Sequence, residues 1–246
     1  MTAAAPLRIA MWSGPRNIST ALMRAWENRP DTRVVDEPFY AYYLRATGAP
    51  HPLAAEIIAR GPADWPTVVD QCLHSDLSGR TIHYQKQMTH HLLPEVDRGW
   101  LAGVVNCFLI RHPAEVIESY MKKNYAPTAA DLSFPQQVEI FAAARRLSTA
   151  QPIVIDSSDV LRDPRRILHQ LCEAVGAPMD ERMLSWPEGY RDSDGLWAPH
   201  WYGEVIKTTG FGPYRIHPRQ VPAAQRDVFD ECLACYDELY ALRLQG

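Results

Sequence analysis

Five short apolar runs, each followed sooner or later by a helical pattern, limit what this chain can fold into. Leu7 to Trp12, Arg33 to Asp36, Thr81 to Gln87, Val104 to Ile110 and Ile153 to Ile155 are apolar or β-prone stretches with little strict alternation. Such runs suit strands buried on both faces. Ser19 to Asn28, Trp65 to Asp76, Pro113 to Lys122, Pro135 to Ala150, Asp163 to Val175 and Pro222 to Leu242 space their apolar residues by three and four, which predicts helices. Pro113, Pro135, Pro164 and Pro222 stand at or near the start of four of them, where a missing N–H is harmless. Strand alternating with helix predicts an α/β fold, a mainly parallel sheet flanked by helices.

With 246 residues, one domain spanning 1–246 is the expected organisation. A helical insert, about 40–79, separates the second and third strands and carries Tyr40, Tyr42, Tyr43, His51 and Trp65, enough aromatic surface to cover a site. From Trp186 to Pro222 the chain is crowded with Gly, Pro, Trp and Tyr and has little periodicity, so about 186–222 reads as an irregular covering segment. A net charge of -4 argues against nonspecific nucleic-acid binding and leaves room for a local basic pocket. No stretch approaches the roughly 20 apolar residues of a membrane span, and Met1 to Pro6 lacks a secretory pattern, so a soluble cytoplasmic protein is expected. The five cysteines are odd in number and scattered, unlike a disulfide framework. Cys232 and Cys235 lie among Val228, Leu233, Leu239 and Leu242 at helical spacing and read as helix packing.

The first strand runs into Ser13, Gly14, Pro15, Arg16, Asn17, Ile18, Ser19 and Thr20. A strand that ends in Gly and Pro and feeds a helix aims free backbone N–H groups at one point, and Arg16, Ser19 and Thr20 add a cation and two hydroxyls there. That is an anion cradle; the plainer alternative is a connection in which Ser13 or Asn17 caps the helix, and these residues alone leave both open. The fourth strand ends at Arg111, at the sheet edge where ligands of open α/β folds collect. Ser119 lies about 9 Å along the following helix from Pro113, at about 1.5 Å per residue, so both reach one phosphate only if the ligand lies beside that helix. Their plainer roles are a salt bridge to Glu115 and a solvent-facing hydroxyl. Glu37, in Asp36-Glu37-Pro38 after the second strand, is a carboxylate at the mouth of the same cleft, with pairing to Arg16 as its plainer role. Lys86, His90 and His91 follow the third strand, the histidines having surface or capping roles as the alternative.

The loop with Arg16, Ser19 and Thr20, together with Arg111 and Ser119 in an Arg-x7-Ser spacing, resembles sulfotransferases that use 3'-phosphoadenosine 5'-phosphosulfate. Pro152 to Asp156, Asp159 to Pro164 and Leu171 to Pro178 are similar to that family's late strand and helix. The first loop and Asp36-Glu37-Pro38-Phe39-Tyr40 look closest to a little-characterised bacterial sulfotransferase-like group, some members of which are fused to or named after aminotransferases; this chain carries no independent pyridoxal-phosphate signal.

The resemblance implies a P-loop nucleoside triphosphate hydrolase-like (sulfotransferase) fold and metal-independent transfer of a sulfuryl group to a hydroxyl or amine of a small-molecule acceptor. It implies that Gly14, Pro15, Arg16, Asn17, Ser19 and Thr20 hold the 5'-phosphosulfate while Arg111 and Ser119 hold the 3'-phosphate. It further implies that Arg16 acts in catalysis as the cation beside the breaking bond. Glu37 is the expected base, Lys86 the stabiliser of the leaving phosphate or moving sulfuryl group, and His90 or His91 the alternative base. The family's late Arg-Lys-Gly motif is not recognisable, and Lys207 to Gly212 or Arg215 is its expected substitute. Ile18 stands where the family often has Gly, and Pro15 removes one donor from the cradle.

Two alternatives share this fold. A P-loop kinase or hydrolase needs Gly-Lys where this chain, counted from Gly14, has Ser19 and Thr20. A nucleotide-binding domain without turnover would fit the missing late motif, but it would not explain why Arg16, Glu37, Lys86, Arg111 and Ser119 are all present.

Overall fold

The computed structural model describes residues 5–122, 126–215 and 220–245. In chain order the elements are β1 Leu7–Ser13, α1 Ser19–Glu27, β2 Thr32–Asp36, α2 Tyr40–Thr47, α3 Ala54–Arg60, α4 Trp65–His74 and β3 Ile82–Met88. There follow β4 Val105–Ile110, α5 Pro113–Met121, α6 Ala129–Leu132, α7 Phe134–Leu147, β5 Ile153–Asp156, α8 Ser157–Arg162, α9 Pro164–Val175, α10 Ala198–Trp201 and α11 Arg226–Tyr240. The five strands form one sheet in the order β2-β3-β1-β4-β5, and every pair is parallel. All five runs expected as strands are strands, with ends moved by about one residue.

The central strands show why the apolar runs are continuous. On β1, Ala10 and Trp12 face one core cluster while Ile9 and Met11 face the other; on β4, Phe108 and Ile110 oppose Cys107 and Leu109 in the same way. The first cluster is closed by residues of α4, α5, α7 and α11, such as Val68, Ile117, Ile140 and Cys232. The second is closed by Leu22, Met23 and Trp26 of α1 and by Ile167, Leu168 and Leu171 of α9. Each fully buried side chain of this kind contributes about 1.5–3 kcal/mol. Trp12 satisfies its buried indole N–H on the Asn106 Oδ1 at 3.1 Å.

Several helix starts follow from side-chain chemistry. Asp64 accepts from the Thr67 amide and Asp163 from the Arg166 amide, and a proline occupies the first turn of α4, α5, α7 and α9. The expected helix from Pro222 is a short 3-10 turn, Ala223–Gln225, before α11 begins at Arg226. Residues 40–79 hold α2, α3 and α4, and 186–222 hold α10 and a 3-10 turn. A third apolar cluster ties these two segments together through Tyr40, Leu44, Ile57, Trp197 and Tyr202. All five cysteines are free thiols. Among the described residues no helix is long and apolar enough to cross a membrane.

β1 and β4 are hydrogen-bonded neighbours. The helix after β1 packs on one face of the sheet and the helix after β4 on the other, which opens a crevice between their carboxyl ends.

Candidate functional site

Two groups of polar residues meet at this carboxyl edge. The first forms where the loop after β1 faces α5. The Arg16 Nε donates to the Ser119 Oγ at 3.0 Å, and the Arg111 Nη1 donates to the Arg16 carbonyl at 2.8 Å. Arg111 also holds Glu115 through Nε at 3.2 Å, so the salt bridge foreseen as its plainer role exists beside the contact to Arg16. Burial, with Arg111 second, pushes the Arg16 guanidinium below its usual pKa. A cation whose charged neighbour is another cation is suited to an anion.

The loop itself is held by its own residues. Asn17 Nδ2 donates to the Leu109 carbonyl at the end of β4, and its Oδ1 accepts from the Ile18 amide, so Asn17 is a tie between strands. The first helical bond of α1 runs from the Leu22 amide to the Ile18 carbonyl. The amides of Ser19, Thr20 and Ala21 therefore lack intrahelical acceptors, as at any helix start. Gly14 is explained by packing: a Cβ there would lie 2.8 Å from the Leu132 carbonyl of α6. Ser13 is buried, with its hydroxyl on the Met88 Sδ at 3.8 Å.

The second group lies one and two strands away. The sheet register sets Asp36 opposite Lys86. Lys86, only 1% exposed, donates to the Asp36 Oδ1 at 2.9 Å, the Glu37 Oε1 at 2.5 Å and the Tyr202 hydroxyl at 2.7 Å. An ammonium has three donors, and all three are engaged. Asp36 is enclosed as well: its Oδ2 accepts from the Tyr202 hydroxyl at 2.6 Å and from the Gly195 amide at 3.2 Å. Burial disfavours the Lys86 charge, but Asp36 and Glu37 outweigh it and hold its pKa well above the usual lysine value. Burial, with Asp36 adding to it, raises the Glu37 pKa even though Lys86 pulls it down.

His91 and His90 close this group. His91 is buried, stacked on Tyr40 with ring centres 4.6 Å apart, and its Nδ1 lies 3.9 Å from the Glu37 Oε2. His90 meets the Ser133 hydroxyl through Nδ1 at 3.2 Å. Burial first, then nearby positive or imidazole groups, lowers both: His90 to about 4, and His91 well below its usual value. Both are neutral imidazoles near pH 7.

Backbone strain marks the same place. Among the described residues the non-glycine positions with left-handed φ are Arg16 (57°), Glu37 (45°), Ser78 (51°) and Ser133 (65°). Three of the four belong to these two groups. Such a conformation costs on the order of 1–3 kcal/mol and persists where the surroundings impose it, most often at functional sites.

A cavity of about 270 Å³ adjoins the first group, lined by Arg111, Glu115, Ser158, Tyr214 and Arg215 among others. Arg215 therefore shares a cavity with Arg111. Lys207 is not among its lining residues; its side chain is 68% exposed and its ammonium lies 3.9 Å from Glu204. Of the two late basic residues considered from the sequence, Arg215 and not Lys207 lines the cavity that Arg111 lines. Tyr202, Gly195 and Ser133 escaped sequence reasoning altogether. Among the described residues, no three His, Cys, Asp or Glu side chains gather in a way that would hold a metal ion.

Residues 7–242 match the family model of a sulfotransferase domain. The chain belongs to the sulfotransferase family. Its fold is similar to the sulfotransferase domain of the Synechococcus PCC 7002 olefin synthase, with a TM-score of 0.61 at 15% identity, covering 100% of this chain and 98% of that one. It is also similar to a sulfotransferase from Alicyclobacillus acidocaldarius, with a TM-score of 0.57 at 10% identity and 98% of each chain covered. Those likenesses establish the P-loop-like α/β fold of sulfotransferases.

Two curated proteins of Arabidopsis thaliana share more sequence with this sulfotransferase domain. Branched-chain-amino-acid aminotransferase-like protein 1 is 33% identical over 236 residues, covering 96% of this chain and 42% of that protein. Its counterpart, protein 2, is 30% identical over 231 residues, covering 94% and 41%. The chain thus spans less than half the length of these relatives.

Proposed function

We propose that this chain transfers a sulfuryl group from 3'-phosphoadenosine 5'-phosphosulfate to a hydroxyl or amine of a small-molecule acceptor. The observation that carries the reading is the meeting of Arg16, Arg111 and Ser119 in the β1–β4 crevice of a sulfotransferase-family chain. Two arginines and a hydroxyl drawn together from positions 103 residues apart suit a ligand with more than one phosphate-like group.

In this reading the amides of Ser19 and Thr20, with Gly14 and Pro15 shaping the loop, receive the 5'-phosphosulfate. Arg16 stabilises the negative charge that builds on the departing phosphate. Arg111 and Ser119 hold the 3'-phosphate, and Arg215, across the shared cavity, takes the late basic role in preference to Lys207. Glu37 accepts the acceptor's proton as the new O–S or N–S bond forms and the S–O bond to the 5'-phosphate breaks, its electron pair staying on that phosphate. Displacement in line needs no metal, because the sulfuryl group carries less charge than a phosphoryl group.

Lys86 takes a different part from the one the family pattern implies. With its three donors on Asp36, Glu37 and Tyr202 it orients the base instead of holding the leaving phosphate. His91 is the neutral imidazole beside Glu37, and His90 packs against His91.

The test is a screen of hydroxyl and amine acceptors with donor labelled in the sulfuryl group. Label recovered in an acceptor with the intact chain, and absent with Glu37→Gln, supports the reading. Equal label transfer by the two contradicts Glu37 as base.

A further inference from the structure

Resting on the sulfotransfer reading above, we propose that Tyr202 is a positioning residue that makes Glu37, and not its neighbour Asp36, the carboxyl that exchanges the proton. The two side chains are adjacent in sequence, share Lys86 and are of the same chemical type. What separates them is the covering segment. Asp36 has donors on both oxygens: Lys86 on Oδ1, and the Tyr202 hydroxyl with the Gly195 amide on Oδ2. A proton arriving at Asp36 would have to displace one of these donors. Glu37 has Lys86 on Oε1 only, while its Oε2 faces the His91 Nδ1 at 3.9 Å.

Tyr202 reaches the pair because the segment before it is pinned at several points. Asp194 pairs with the buried Arg24 at 2.7 Å, the Ser193 hydroxyl donates to Glu27 at 2.5 Å, and the Trp197 indole N–H donates to the Tyr202 oxygen at 3.3 Å. That indole bond and the Lys86 bond both draw electron density from the phenol oxygen, which strengthens its own donation to Asp36. The Tyr202 hydroxyl is thus fixed in direction: it accepts from Lys86 and Trp197 and donates to Asp36.

The groups facing Glu37 are Asp36 from its own segment, Lys86 from β3, His91 from the turn after β3, Tyr40 from α2 and Tyr202 from the covering segment. Burial and the Asp36 charge both raise the Glu37 pKa. With Tyr202 in place, protonation falls on Glu37; without its hydroxyl, Asp36 Oδ2 keeps only the longer Gly195 amide bond and the two carboxyls share the proton. Apparent titrations then belong to the pair.

The experiment is an infrared titration of the protonated carboxyl stretch in the full chain, with Glu37→Gln and Asp36→Asn used to assign bands. The expected result is one band from Glu37 in the wild type. In Tyr202→Phe, a second band from Asp36 should appear and the Glu37 midpoint should fall by about one pH unit, the scale of one hydrogen bond to a charged group. Trp197→Phe keeps the phenol and removes one of its donors; it should move the Glu37 midpoint the same way by less, and it decides the question if Tyr202→Phe does not fold. Unchanged band positions and midpoints in the folded variant overturn the proposal. Label transfer measured on the same samples separates the two readings. No transfer with the band shift intact fails sulfotransfer and leaves the positioning role, whereas transfer without the shift fails the positioning role alone.

Discussion

The Arg16 Nε and the Ser119 Oγ are 3.0 Å apart, which joins the loop after β1 to the helix after β4. Because the Arg111 guanidinium grips the Arg16 carbonyl, the loop and the two cations behave as one unit.

Nucleotide affinity should depend on that unit. A hydrogen bond to a charged group contributes about 1.5–3 kcal/mol, so Arg16→Ala should weaken binding of adenosine 3',5'-bisphosphate by roughly ten- to hundredfold. Ser13→Ala, which alters a buried hydroxyl on Met88, should change it far less. Isothermal titration of the two variants checks the ranking.

Stability should depend on Gly14 for a reason unrelated to ligand. Its missing Cβ leaves room for the Leu132 carbonyl, so Gly14→Ala should push α6 away and cost about 1–3 kcal/mol in denaturant unfolding. Lys86→Met should cost more, about 3–5 kcal/mol, because it strands the buried Asp36 carboxylate and leaves the half-buried Glu37 without its cation.

The acid limb of turnover should lie above the range of an ordinary glutamate. The base must be ionised, and burial together with the Asp36 charge raises the Glu37 pKa, so activity falls as pH drops through that raised value. Glu37→Gln should abolish turnover while leaving nucleotide binding within about twofold, measured side by side.

Acid should also loosen the fold through the two histidines. His90 titrates near 6.5 when unfolded and is lowered to about 4 in the native chain, so the unfolded state binds more protons between those values. The stability it contributes is complete above about pH 6.5 and is lost as pH falls through about 4. Replacing it by Gln should flatten the fall of melting temperature over that window.

The strands were legible because a parallel sheet buried on both faces needs uninterrupted apolar runs, as Ile9 to Trp12 supply. Arg16 and Arg111 were legible because each stands just after a strand that ends at the same edge, and Ser119 because it follows Arg111 in the Arg-x7-Ser spacing. Tyr202 was not. It meets Asp36 across 166 residues, from a segment without periodicity, and no local pattern announces such a contact. The strained backbone at Arg16 and Glu37 was equally hidden, since a positive φ is usually signalled by Gly or Asn. Ser133 follows a four-residue helix too short to show a period. Arg215 and Lys207 read alike as late basic residues, and only the cavity that 212–215 share with Arg111 separates them.

The most direct test of a two-phosphate site without a metal is the melting temperature of the intact chain with each nucleotide. Adenosine 3',5'-bisphosphate without magnesium should raise it more than ATP with magnesium does, and Arg16→Ala should remove most of that rise. A larger rise with ATP and magnesium would contradict the account.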